Sequence, residues 1–151
     1  MGKIEDTLKK LTTAINGHDA KAVSALYAND AVAYDPQYPE PLRGQHAIEQ
    51  DAASFMKGFS DARLEFSNVF EKDGRNGAAE FQFSGTHDGP LTSPAGDIPA
   101  TNKQMDMRGG GFVKLNESGL IVEERRYYDT GQMMQQLGLT GAPPTAAKDA
   151  R

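Results

Sequence analysis

The sequence predicts an α+β domain. Three observations point there. Residues 3–59 carry apolar side chains at helical spacing, residues 60–129 switch to an alternation of period two, and the later segments are joined mainly by short Gly- and Asn-rich turns. Helices segregated from antiparallel strands in this order suggest a curved antiparallel sheet wrapped around three N-terminal helices, with a cavity between the layers.

The first helix is expected over "KIEDTLKKLTTAIN", 3–16. Ile4, Leu8, Leu11 and Ile15 share one face there, and Asn16-Gly17 ends it. Asp19 reads as the cap of a second helix, "AKAVSALYA", with Val23, Leu26 and Tyr27 on one side and Asn29-Asp30 as its breaker. "AVAYD", 31–35, reads as a short strand. Pro36, Pro39 and Pro41 then force an extended loop. A third helix, 44–59, lines up Ile48, Ala52, Phe55, Met56 and Phe59.

The strands follow. "ARLEFSNVF" alternates Leu64 and Phe66 against Arg63 and Glu65, and Asp73-Gly74 and Asn76-Gly77 are turn signals. In "AAEFQFSGTH" the residues Phe81, Phe83, Gly85 and His87 fall on one face. Residues 88–101 read as a loop able to act as a lid. "KQMDMRGGGFVKL" is a strand whose triple glycine marks a bulge, a bend or a close approach. "LIVEERRYYD" is the last strand and "GQMMQQLGL" a short helix. The domain is expected to span 1–139, with 140–151 a flexible tail.

Composition limits the function classes. The 151 residues suffice for one domain, and 16 basic against 21 acidic residues, net −5, disfavour nucleic-acid binding. No apolar run approaches the roughly 18–20 residues of a transmembrane helix, and no export signal is visible, so a cytoplasmic location is expected. The absence of cysteine removes disulfides and thiolate chemistry. His18, His46 and His87 show no ligand spacing, and no phosphate loop, dinucleotide fingerprint or serine elbow occurs, so neither metal nor cofactor is expected.

Three segments, "INGHDAKAVSALYANDAVAYDP", "FSGTHDGPL" with "GDIPATNKQMDM", and "GLIVEERRYYDTGQMMQQLGL", occur in an order and spacing that resembles the SnoaL-like polyketide cyclase branch of the nuclear-transport-factor-2-like superfamily. The resemblance covers roughly residues 4–139. It implies a cone-shaped α+β barrel with a deep apolar pocket, often a homodimer through the sheet. It also implies a cofactor-independent reaction, ring closure by intramolecular aldol chemistry, with an acidic pocket side chain as general acid and base. The position that matches that acid is Asp129.

Asp129 therefore has two competing readings. It is a pocket base whose basicity burial raises, or the N-cap of the helix that follows. By parity it shares a side with Glu123, Arg125 and Tyr127. Tyr127 or Tyr128 can donate to an enolate oxygen. His87 can shuttle a proton or polarise a carbonyl, or simply tether the 88–101 loop. Asp35 before Pro36 reads as a turn initiator. Tyr27, Phe55, Phe83, Met105, Met107 and Tyr127 are the expected walls for a hydrophobic small-molecule ligand. Arg108 is expected to pair with Glu124 or another acid on the neighbouring strand, as a cross-strand surface pair. An isomerase, dehydratase or hydrolase of the same fold, a pocket protein without turnover and a sheet-mediated protein partner stand beside the cyclase reading.

Overall fold

The computed structural model describes residues 2–93 and 95–139, so the tail expected over 140–151 lies outside the described residues. Helix α1, Lys3–Asn16, buries Ile4, Leu8 and Leu11 on its apolar stripe. Its last side chain, Asn16, accepts from Leu64 N–H at 2.7 Å and donates to Leu64 C=O at 3.2 Å, which ties the helix end to the sheet. Asp19 caps α2 by accepting from Ala22 N–H.

Helix α2 is only Ala20–Ser24, five residues long. The expected run to Ala28 is not helical, because strand β1, Tyr27–Tyr34, takes over. Asn29 and Asp30 are not breakers. They sit in a bulge, since Tyr27 pairs with Ile121 but Val32 already pairs with Glu123. Strand β2, Leu42–Arg43, is a two-residue edge absent from the sequence reading. Helix α3, Gly44–Gly58, buries Ile48 and Ala52.

Strands β3 (Arg63–Lys72), β4 (Asn76–Thr86), β5 (Gln104–Leu115) and β6 (Ile121–Tyr127) follow, and then helix α4, Thr130–Gln136. Asp73 and Gly74 have φ of 55° and 72°, the left-handed pair that a tight hairpin demands. The second expected turn signal, Asn76-Gly77, lies inside β4. The six strands lie in the order β2-β1-β6-β5-β4-β3 in a curved sheet that does not close. Every neighbouring pair is antiparallel except β1 and β6, which run parallel.

Two apolar clusters fill the concave side. One joins α1, α2, α3 and β1 to Val113, Leu115 and Ile121. The other packs Phe59, Met105 and Met107 against Met133 and Leu137 of α4. Strand β6 pairs only with residues 110–115 of β5, so the first half of that β5 edge would be bare. Helix α4 covers it: Gln136 accepts from Asp106 N–H at 2.8 Å and donates to Asp106 C=O at 3.0 Å, replacing a strand partner. The triple glycine allows close approach. A Cβ at Gly109 would overlap the Tyr127 carbonyl oxygen and lie 2.6 Å from the Phe81 ring. None of the helices formed by the described residues is long and apolar enough to cross a membrane.

Candidate active site

Between the two clusters lies a cavity of about 140 Å³. Phe55, Phe81, Phe83, Met105 and Met133 make much of its apolar wall. The Phe83 ring meets Tyr128 edge-on at 5.2 Å, and Phe55 meets Phe83 at 6.0 Å. The other end is polar and holds Asp35, Asp51, Glu124 and Arg126, with Tyr27, Tyr38 and Tyr128.

Local structure explains how these side chains converge. Strand alternation on β6 sends Glu124 and Arg126 inward, and Tyr128 follows in the same parity. Asp35 follows the last residue of β1 and accepts from Gln37 N–H at 2.9 Å, so the expected turn is real. Its other oxygen reaches Arg126 at 3.0 Å. Asp51 sits on α3 one turn after Ile48 and beside Ala52, on the flank of the buried stripe.

Arg126 is the hub. Its Nη1 donates to Asp35 at 3.0 Å and to Asp51 at 2.8 Å, while Nε and Nη2 donate to Glu124 Oε1 at 3.2 and 3.1 Å. Each carboxylate also receives a phenol: Tyr128 on Asp35 at 2.6 Å, Tyr38 on Asp51 at 2.7 Å, Tyr27 on Glu124 at 2.7 Å. Burial, then the adjacent carboxylate, pushes all three phenols well above the usual tyrosine range, so they stay protonated donors. Burial alone would lower the Arg126 pKa, but the Glu124, Asp51 and Asp35 charges carry it well above the ordinary value. Arg126 thus pairs with Glu124 rather than leaving that acid to Arg108.

The expected site residues divide. Tyr27, Phe55, Phe83 and Met105 line the cavity. Tyr27 does so from β1 and not from α2. Met107 is fully buried in the cluster with Phe59 and α4, and does not line the cavity. Tyr127 is 54% exposed on the outer face, edge-on to Phe112. Asp129 is exposed, accepts from Gln132 N–H at 3.1 Å as the cap of α4, and does not line the cavity. The parity argument holds, but the side it names is the outer one. Glu123 and Arg125 pair there at 3.0 Å, and Arg125 lies over the Tyr34 ring.

His87 is completely buried and stacked near Phe59 at 5.3 Å, outside the cavity lining. Thr101 N–H donates to its Nδ1 at 3.3 Å, and Nε2 has no partner. Burial holds its pKa below the usual histidine value, against the pull of Asp88. It tethers the 88–103 segment, because His87 N–H donates to Lys103 and Asn102 N–H to the His87 carbonyl. The sequence reading overlooked Asp51 and named neither Glu124 nor Arg126 as a site residue. The i, i+3 step from Ile48 to Asp51 was the available signal.

The family model for SnoaL-like polyketide cyclases matches residues 5–137. The chain belongs to that family. A SnoaL-like protein from Jannaschia sp. CCS1 superposes with a TM-score of 0.76 at 16% identity, covering 92% of this chain and 94% of that one. A protein of ketosteroid isomerase-like fold from Catenulispora acidiphila, solved in complex with trimethylamine, gives 0.73 at 16% identity over 91% and 98%. SalBIII, an epoxide hydrolase/cyclase-like enzyme of pyran ring formation in salinomycin, gives 0.68 at 15% identity over 84% and 91%. At these identities the likeness establishes the fold. Comparison with curated proteins finds no match.

Proposed function

We propose that this SnoaL-like protein is a cofactor-independent enzyme that moves a proton on a hydrophobic carbonyl compound, in the manner of an intramolecular aldol cyclisation. One observation carries the reading. Two aspartate–tyrosine pairs, Asp35–Tyr128 and Asp51–Tyr38, meet on Arg126 Nη1 at the end of an aromatic cavity. Carbonyl chemistry of this kind needs a base for the proton alpha to the carbonyl and a donor for the enolate oxygen.

Asp51 is the base in this scheme. Its oxygens take one donor each, Tyr38 and Arg126, so each keeps a lone pair. Asp35 already accepts three, from Tyr128, Gln37 and Arg126, and serves to position Tyr128. Tyr128 exchanges its bond to Asp35 for one to the enolate oxygen. The enolate carbon attacks the second carbonyl, and protonated Asp51 returns the proton to the new alkoxide. The apolar wall keeps water from the enolate.

The test is proton–deuterium exchange alpha to the carbonyl of 2-tetralone, followed by NMR in D2O. Wild type is expected to accelerate exchange, and Asp51→Asn to lose about 10²–10⁴-fold of that acceleration. Exchange left intact in Asp51→Asn removes Asp51 from the role. No acceleration by wild type favours a pocket protein without turnover.

A further inference from the structure

We propose that the ligand of this cavity carries a basic nitrogen, bound protonated at the carboxylate end with its apolar body among the phenylalanines. The inference rests on the cavity being the binding site, as in the reading above, and not on which reaction follows. Three carboxylates line the cavity against one guanidinium, an excess of two formal negative charges. Among the described residues no lysine, histidine or second arginine lines it. Uncompensated charge inside an apolar enclosure is costly, so a bound cation gains where a bound anion loses.

The hydrogen bonds point the same way. Arg126 uses four of its five N–H groups on Asp35, Asp51 and Glu124, which leaves one for an anionic ligand and no bidentate fork. The three phenols also donate to carboxylates, so a ligand meets mostly acceptors. Glu124 is 8% exposed, and its tyrosine and arginine bonds all fall on Oε1, leaving Oε2 without one. The one unpartnered side-chain polar atom sealed in protein among the described residues is His87 Nε2. Glu124 Oε2 is therefore not sealed, and Glu124 borders both this cavity and a smaller space beside Leu8 and Val113.

The walls suit an organic cation. Phe81, Phe83 and Tyr128 form a three-ring group with centroids 5.2 to 6.5 Å apart, and Tyr128 is bonded to Asp35. Ring faces beside carboxylates attract an ammonium group more strongly than either does alone. A metal ion is a poorer match, because among the described residues no three His, Asp or Glu side chains are grouped to hold one.

Three probes with one body separate the outcomes: 2-naphthylmethylamine, 2-naphthalenemethanol and 2-naphthoate, titrated calorimetrically into the full chain at pH 7. The amine is expected to bind at least about tenfold tighter than the alcohol, and the naphthoate more weakly than both. Glu124→Gln is expected to narrow the amine's advantage severalfold. Asp51→Asn, at the rim of the Arg126 network, should do the same if Glu124→Gln does not fold. Equal or tighter binding of the alcohol overturns the inference. Tightest binding of the naphthoate, or no binding of any probe, overturns it as well. Exchange on 2-tetralone without an amine preference sinks this inference alone. An amine preference without exchange sinks the proton-transfer reading alone.

Discussion

The Asp129 carboxylate accepts from the Gln132 amide and stands in solvent, so its contribution is to the start of α4. Replacing a capping aspartate by alanine costs about 1 kcal/mol. Asp129→Ala is therefore expected to lower the unfolding free energy measured in urea by that amount and leave 2-tetralone exchange unchanged. Loss of exchange in a folded Asp129→Ala protein would return Asp129 to the chemistry. His87 makes a different residue-level prediction. Burial lowers its folded pKa, so the folded state holds the neutral ring while the unfolded chain titrates near its ordinary value of about 6.5. Stability from this residue is full above that value and falls as pH drops through it toward the lower folded pKa. His87→Gln cannot titrate. The melting temperature of wild type should thus fall more than that of the variant between pH 7.5 and pH 5. Parallel decreases would show that His87 protonation is not linked to folding.

At the scale of elements, β6 explains why the site was hard to read. "EERRYY" repeats each residue type on successive positions, so both faces carry an acid, a base and a phenol. Alternation then says which residues share a side but not which side is inward. The usual rule, apolar in and polar out, has no purchase on it. Helix α2 misled for another reason: five residues are too few to establish a period, and the β1 bulge at Asn29-Asp30 looks like a helix stop. The glycine run was legible as a feature, and its partners decide its strictness. Gly109→Ala would press a methyl group on the Tyr127 carbonyl, which belongs to the backbone and cannot swing away. A loss of about 1–3 kcal/mol is expected in urea denaturation. Gly110→Ala, where the nearest atom is Ala79 O at 3.8 Å, should be tolerated far better. Equal losses would mean that the close approach is not what demands glycine.

For the whole molecule, the outer face of the sheet is the feature left without a covering layer. Phe112 and Tyr127 are 55% and 54% exposed and touch each other, and Tyr34 lies beneath Arg125 on the neighbouring strand. Register makes this one patch, since Arg125 pairs with both Phe112 and Tyr34. A second copy of the chain is the proposed cover. Analytical ultracentrifugation is expected to give a dimer for wild type and a monomer for Phe112→Glu, with 2-tetralone exchange as the check on folding. A monomeric wild type at micromolar concentration would rule the pairing out.

The order of the helices and of every strand but β2, the α1 and α3 stripes, the Asp73-Gly74 hairpin and the family were legible in the sequence by itself. Each depends on residues close along the chain, where spacing and side-chain period carry the information. The polar end of the cavity depends on residues far apart. Tyr128 and Asp35 are 93 positions apart, Arg126 and Asp51 are 75 apart, and each looks ordinary where it stands in the chain. Only the parallel pairing of β1 with β6, and the packing of α3 on β1, brings these groups together. The same packing turned Asp129 outward, because burying Arg126 against its carboxylates gives β6 one inward parity and leaves the other to solvent.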